Sequence, residues 1–271
     1  MIGGAGLQQQ QRLNPLIELL ASKKPAFGLY APANPRVGGR GRGGAVQPGT
    51  ASVTGAVPTT PPPPAPTPKT PGELAKDAFD YKNADYIFDG SMEAPARYDQ
   101  AYASFQSFAK GMSDAGFSTA ASVRRLSHPL YVKTPGIAAD PKVAAERIAG
   151  QLNAGASGVV FVDVESADEL KQGLSMMRFK SKAGTRPDDV GAAPAIWGIS
   201  EKEYREKADL WPLNPKGELL NFTIIESKEG IARVREIAAV KGIGVLFPGA
   251  GTLGGVYTMT DSTGRTVRDP V

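Results

Sequence analysis

Polar and charged side chains stand at the ends of short apolar segments along this chain of 271 residues. They are Asp89, Lys133, Asp163, Glu226 and Thr252. Carboxylate oxygens suit hard cations such as Mg²⁺, Mn²⁺ or Ca²⁺, whereas zinc prefers sulfur and imidazole ligands. The chain has no cysteine and a single histidine, which excludes thiolate zinc sites, cysteine nucleophiles and two-histidine motifs. Metal chemistry here would therefore depend mostly on oxygen ligands.

The elements that must position these residues alternate regularly between strand and helix. The sequence predicts strands at 25–31, 84–90, 129–135, 157–164, 220–227 and 242–249, and helices at 71–84, 97–115, 141–154, 167–179 and 229–240. Asp140 is the predicted N-cap of the third helix. This alternation is typical of an α/β protein with a parallel sheet. Polar residues at the strand ends favour a (β/α)₈ barrel of the TIM type, in which the carboxyl ends of the strands carry the chemistry.

One segment, residues 33–71, departs from this pattern. It contains 10 of the 23 prolines and 7 of the 32 glycines, and it lacks aromatic residues. Such a composition cannot build a core, so we predict a flexible, disordered insert after the first strand. The predicted organisation is residues 1–32 with the first strand, the insert at 33–71, and the rest of a single barrel domain at 72–271.

The charge balance excludes a broad nucleic-acid surface on the folded part. The net charge is +4, and the insert alone contributes Arg36, Arg40, Arg42 and Lys69 with no acidic residue. The remaining 27 basic residues balance 27 acidic ones. The GGRGRGG run in the insert keeps RNA binding as a weak alternative.

Targeting signals do not stand out in the sequence. No apolar run approaches the ~18 residues of a membrane span. The N-terminus does not resemble a signal peptide, which makes a cytoplasmic protein the default expectation.

Six blocks, in order and spacing, resemble the HpcH/HpaI aldolase/citrate lyase family. They are GLYAP (28–32), DYIFDGSMEAP (85–95), YVKTPG (131–136), LNAGASGVVFVDVESADEL (152–170), IIESKEGIARVREI (224–237) and GIGVLFPGAGTL (242–253). The resemblance implies a TIM-type barrel, a homo-oligomer, and a carbon–carbon lyase acting on a 2-oxo acid or acyl substrate. It further implies a divalent metal (Mg, Mn or Co) held by a glutamate and an aspartate, which stabilises an enolate.

The resemblance assigns roles residue by residue, with several departures from the family pattern. Glu226 matches the metal-binding glutamate, whereas Thr252 stands where the family has its second, aspartate ligand. Lys133 replaces an arginine that supports the developing oxyanion, and it lacks the planar two-pronged donor of arginine. Ala94 stands in the position of the base histidine, next to Glu93.

Further assignments concern the base and the substrate. Asp89 is a candidate for the base if two residues are inserted after it, which makes Lys133, Glu93 and Asp89 the predicted catalytic residues. Arg186 and the loop Gly249, Ala250 and Gly251 are predicted to bind the substrate, the loop through backbone N–H groups. The alternative for Arg186 is a loop ion pair with Asp188 or Asp189. For His128 the packing interpretation is favoured over a displaced base.

The sequence leaves two main functions open. A metal-dependent lyase is favoured by the intact Glu226 and by the order of the blocks. A non-catalytic barrel that binds a small acid or a protein partner is the alternative, because the base, the arginine and the metal aspartate are replaced together. Only 19 residues follow Thr252, so the barrel is expected to be incomplete at its C-terminus and the sequence to be a fragment.

Overall fold

Seven parallel strands form one curved sheet in the part of the chain that the computed structural model describes. That part comprises residues 12–34, 67–116, 118–119 and 124–268. The strands of the described chain are Gly28–Tyr30 (β1), Tyr86–Asp89 (β2), Ser118–Thr119 (β3), Arg125–Leu126 (β4), Leu130–Lys133 (β5), Gly158–Phe161 (β6), Leu210–Trp211 (β7), Leu219–Ile225 (β8), Val245–Pro248 (β9), Thr258–Thr260 (β10) and Thr266–Arg268 (β11). The helices are Pro15–Ala21 (α1), Pro71–Asp80 (α2), Tyr98–Asp114 (α3), Pro141–Asn153 (α4), Ala167–Met177 (α5), Ala193–Trp197 (α6), Glu201–Lys207 (α7), Lys228–Ala232 (α8), Val234–Ala238 (α9) and Ala250–Val256 (α10).

The barrel strands follow the order β1-β2-β5-β6-β8-β9, and every neighbouring pair is parallel. The short β7 pairs with the start of β8, ahead of the segment that pairs with β9. Two antiparallel pairs, β3 with β4 and β10 with β11, lie outside this sheet. The β10–β11 hairpin is largely exposed. The predicted order of α/β units is confirmed.

The sheet curls without closing in the described part of the chain, where β1 forms one edge and β7 and β9 lie at the other, both paired with β8. The curl is tight enough to bring the rings of Phe88 in β2 and Phe247 in β9 within 6.5 Å, centroid to centroid, across the interior. The prediction of an incomplete TIM-type barrel is therefore confirmed.

Strand side chains alternate between two apolar layers because successive residues of a strand face opposite sides of the sheet. One layer fills the barrel interior, with Tyr131, Val160, Phe222 and Ile224 among its members. The other lies between the sheet and the surrounding helices and includes Ile87, Val132, Val159 and Phe161. This alternation decides which strand-end residues face the interior.

Helix α1 closes the amino end of the barrel, a feature that the sequence pattern does not predict. Leu16 and Ile17 insert into the interior layer. Asn14 caps the helix by accepting the Leu16 N–H and donates to the Tyr131 hydroxyl at 2.9 Å. Glu218 accepts the Asn14 N–H at 3.0 Å, and burial raises the pKa of this carboxyl.

Helix boundaries follow local signals in several places and depart from the prediction in others. The predicted cap of α4 is confirmed, because Asp140 accepts the Val143 N–H at 3.1 Å. Helix α2 begins with a capping box between Thr70 and Glu73 but ends at Asp80, four residues before its predicted end. The helix predicted over 229–240 consists of α8 and α9, because Arg233 leaves the helical region with φ −110°.

Most of the predicted insert, residues 35–66, lies outside the described residues, as do 1–11 and 269–271. The described ends of the insert meet, because the Asn34 side-chain amide donates to the Lys69 carbonyl and accepts the Lys69 N–H, each at 2.7 Å. In the described part of the chain, no helix has the length and apolar character needed to cross a membrane.

Candidate active site

The carboxyl ends of the barrel strands, called the rim below, hold Lys133, Glu226 and Gly249. Lys133 ends β5 and lies two residues after the inward-facing Tyr131, so its side chain is on the same face of the strand. Glu226 directly follows β8. It continues the alternation in which Phe222 and Ile224 face the interior. The barrel geometry thus brings together residues that are far apart in sequence, as the resemblance implies.

The carboxylate of Glu226 is buried and held by backbone. Only 5% of Glu226 is exposed, and its Oε1 accepts the N–H of Asp163 at 3.2 Å. Gly249 lies so close that a Cβ atom added to it would stand 2.6 Å from the Glu226 Cβ and 2.7 Å from Oε2. A glycine is therefore required opposite this carboxylate.

Lys133 forms an ion pair with Glu93, which lies in the turn after β2. The Lys133 Nζ is 3.0 Å from the Glu93 Oε2, and the two side chains are 12% and 44% exposed. The Lys133 carbonyl accepts the side-chain N–H of Gln151 at 2.9 Å. The pair places one cation and one partly solvated carboxylate at the same mouth as Glu226.

Asp163 connects these groups electrostatically. Burial raises the pKa of its carboxyl, repulsion from Glu226, Glu93 and Glu165 raises it further, and Lys133 opposes the shift. Its backbone lies in the left-handed region with φ +51°, which is uncommon for a residue with a side chain. Its N–H donates to Glu226, so the loop after β6 contributes to the rim through its backbone.

The rim has the donor chemistry of a hard divalent cation but is not a complete protein cage. Within the described residues, no three histidine, cysteine, aspartate or glutamate side chains converge to hold a metal. Magnesium is commonly bound by one or two carboxylates, with substrate and water filling the remaining positions. The buried Glu226 and the excess carboxylate charge around it fit such a site.

The other predicted metal ligand and the loop glycines lie on or next to α10. Thr252 is exposed on this helix and shares no hydrogen bond with Glu226 in the described part of the chain. Ala250 and Gly251 belong to the first turn of α10, and a Cβ on Gly251 would meet no atom within 4 Å. The segment predicted as a glycine loop is therefore helical after Gly249.

Arg186 lies at the opposite end of the sheet. Its guanidinium donates to Asn153 at 2.6 Å and to the Tyr204 hydroxyl at 3.3 Å, and it stacks on the ring of Phe179. Asn153 ends α4, just before the chain enters the amino end of β6. The structure thus separates Arg186 from the rim. The alternative of an ion pair also differs from the structure, because Asp188 accepts a hydrogen bond from Ser181 and Asp189 accepts one from Asn153.

Asp89 and His128 also lie outside the barrel interior. Asp89 alternates with the inward-facing Phe88 and therefore points toward α2 and α3. His128 is 4% exposed, lies beside the ring of Phe79, and has its Nε2 atom 2.9 Å from the Tyr81 carbonyl. The packing interpretation of His128 agrees with this environment.

Gln151 is a rim-supporting residue that the sequence reasoning missed. It is fully buried on α4, at a position where the helical spacing of Ala144, Ile148 and Leu152 predicts an apolar side chain. A polar residue on the buried face of an amphipathic helix was the available signal.

Comparison with solved structures identifies the barrel type. A protein of the HpcH/HpaI aldolase/citrate lyase family from Burkholderia cenocepacia J2315 superposes with a TM-score of 0.58 at 18% identity, over 90% of this chain and 71% of that chain. The fold of this chain is therefore similar to the barrel of that protein. The family resemblance found in the sequence blocks and the fold likeness therefore agree.

Two other comparisons with solved structures are weaker. The HpcH/HpaI aldolase from Desulfitobacterium hafniense DCB-2 gives a TM-score of 0.46 at 16% identity, over 68% of this chain and 58% of that chain. Macrophomate synthase gives 0.47 at 21% identity, over 69% of this chain and 56% of that chain. No protein-family model and no curated protein sequence matches the chain.

Proposed function

We propose that this chain belongs to a carbon–carbon lyase of the aldolase type that acts on a 2-oxo acid. The observation that carries the proposal is the buried Glu226 carboxylate, placed at the rim of an HpcH/HpaI barrel together with the Lys133–Glu93 pair. The structural relatives described as aldolases support the reaction class, and the surplus of carboxylates supports a divalent metal (Mg, Mn or Co) on Glu226.

The residues of the rim suit the cleavage of a 4-hydroxy-2-oxo acid. Glu93, partly solvated at the mouth, would accept the hydroxyl proton while the C3–C4 bond breaks and releases an aldehyde. The electron pair passes to the 2-oxo fragment as an enolate, beside which the Lys133 ammonium supplies positive charge. Protonation of the enolate at C3 then gives the product 2-oxo acid. A divalent cation held by Glu226 would polarise the 2-oxo group and stabilise the enolate.

The test is turnover of 4-hydroxy-2-oxo acids by the full-length protein with Mg²⁺, Mn²⁺ or Co²⁺, combined with Mn²⁺ binding measured by electron paramagnetic resonance. We expect Glu226→Gln to lose both Mn²⁺ binding and turnover, and Lys133→Met to lose turnover while retaining Mn²⁺. The exposed Glu236→Gln and Lys171→Met are the matched controls and should behave as wild type. Absence of turnover with every metal and substrate, or full activity of Glu226→Gln, would refute the proposal.

A non-catalytic barrel that binds a small acid is the second candidate, because Ala94 cannot transfer a proton and is exposed beside Glu93. The double variant Ala94→His with Thr252→Asp separates the two. Gain of Mn²⁺ binding and turnover in that variant supports an ancestral lyase site. If the pocket has been remodelled for binding alone, the variant should gain neither.

A further inference from the structure

A second cavity lies outside the barrel interior, between the carboxyl ends of β1 and β2 and the helices α2 and α3. Its volume is about 340 Å³. Its polar lining includes Asp89, Ser91 and Ser104, and its apolar wall includes Leu74, Phe105 and Phe108. The cavity faces the helical layer because Asp89 has the opposite parity to the inward-facing Phe88. We call it the Asp89 cavity.

Asp89 brings a carboxylate into this cavity, and no ion pair joins it to a cation in the described part of the chain. Its Oδ1 accepts the backbone N–H of Ser91 at 2.8 Å. The lysine in the lining, Lys69, is already paired with Asp77. Burial raises the pKa of the Asp89 carboxyl, whereas the contact with Ser91 lowers it. A desolvated carboxylate of this kind gains from a cationic partner.

The apolar wall narrows the kind of cation that fits. Phe105 and Phe108, which are 2% and 6% exposed, contribute aromatic side chains to the lining of the same cavity. Aromatic rings attract an ammonium group and also pack against the hydrocarbon part of a ligand. A hydrated metal ion would leave these apolar surfaces unused, and an anion would meet Asp89. A volume near 340 Å³ lies within the range of small-molecule sites.

We propose that the Asp89 cavity binds a small organic amine, with the ammonium on Asp89 and the apolar portion against Leu74, Phe105 and Phe108. The hydroxyl groups of Ser91 and Ser104 provide further acceptors for the ammonium protons. This proposal does not depend on the lyase function, because it concerns a different face of the barrel and is tested by binding without turnover.

The test is calorimetric titration of the full chain with 2-phenylethylamine, 2-phenylethanol and 3-phenylpropanoic acid. These probes carry a similar ring and differ in charge. We expect the amine to bind at least about tenfold more tightly than the alcohol, and the acid to bind least, since a charged hydrogen bond to Asp89 is available to the amine alone.

Two variants and a control decide whether the cavity is the site. Asp89→Asn keeps an acceptor for the Ser91 N–H and should weaken amine binding at least about tenfold. Ser104→Leu adds apolar volume at the lining of the cavity without altering its charge and should change the binding of both the amine and the alcohol. Asp80→Asn, at an exposed acid of α2 paired with Lys76, should bind as wild type. Absence of amine binding, equal affinity for amine and alcohol, or unchanged binding by either cavity variant would overturn the proposal.

Discussion

Gly249 offers the sharpest test of the rim geometry, because two glycines only two residues apart have opposite surroundings. In Gly249→Ala the new Cβ would stand 2.6 Å from the Glu226 Cβ, 2.7 Å from Oε2 and 3.0 Å from the Ile224 Cγ2. The Glu226 Cβ is fixed by the β8 backbone and cannot swing away as a flexible side-chain end could. In Gly251→Ala the new Cβ meets no atom within 4 Å, and Gly251 lies inside α10.

The expected magnitudes follow from these distances. Overpacking at Gly249 should lower the free energy of unfolding by about 1–3 kcal/mol and displace the Glu226 carboxylate. Alanine at Gly251 should leave the stability unchanged or raise it by up to about 1 kcal/mol, because alanine is the better helix former.

The assay is urea unfolding followed by circular dichroism, together with Mn²⁺ binding by the folded protein. We expect Gly249→Ala to lose both stability and Mn²⁺ affinity, and Gly251→Ala to lose neither. If both variants unfold at the same urea concentration, the close approach of Gly249 to Glu226 is wrong. If Gly249→Ala is destabilised but keeps full Mn²⁺ affinity, the assignment of Glu226 as the metal ligand is wrong.

Two further predictions concern the rim and the amino end of the barrel. Asp163→Asn should raise the free energy of unfolding at pH 7 by less than about 1 kcal/mol, because it removes repulsion from Glu226, Glu93 and Glu165 at a solvent-screened site, and asparagine tolerates a positive φ. Since the pKa of Asp163 is raised in the folded state, protonation of this carboxyl favours folding. Urea titrations from pH 7 to pH 3 should therefore show the stability gain of Asp163→Asn disappear as the pH falls through that pKa. A gain that stays constant with pH would contradict carboxylate repulsion as its cause. Tyr131→Phe should cost about 1 kcal/mol, because the buried Asn14 amide loses its bond to the hydroxyl but retains the Glu218 carbonyl. The half-exposed Tyr81→Phe is its control, and equal stability of the two variants would show that α1 gains nothing from this bond.

The electrostatic character of the rim has a cost for folding. Three carboxylates and one lysine come together around Asp163, whose pKa is raised by burial and then by its acidic neighbours. A protein selected for stability alone would not keep this arrangement, and perturbed carboxyl groups at a barrel rim are typical of functional sites. This agrees with the metal-dependent lyase proposed above.

The sequence by itself determined the order of the strands and helices. Val159 and Val160 lie in a continuous β-branched run, and Pro141 follows the capping Asp140; both patterns are local, so the strand and the helix start could be predicted from neighbouring residues alone. The same local patterns place Lys133 and Glu226 at strand ends. In a parallel barrel this is sufficient to predict that they share one rim.

Only the tertiary structure decided which polar residues at the strand ends face the barrel interior. Asp89 and Lys133 both end a strand, yet Asp89 faces the helices and Lys133 faces the interior. The face on which each side chain lies depends on the register with the neighbouring strands, and Asp89 pairs with the outward-facing Val132. Arg186 follows a helix in a loop whose end of the barrel the sequence does not specify, and packing on Phe179 and Tyr204 places it away from the rim. The contact of Gly249 with Glu226 and the bond from Asp163 join residues 23 and 63 positions apart in the chain. Such contacts follow from sheet curvature and loop conformation, which local sequence patterns do not encode.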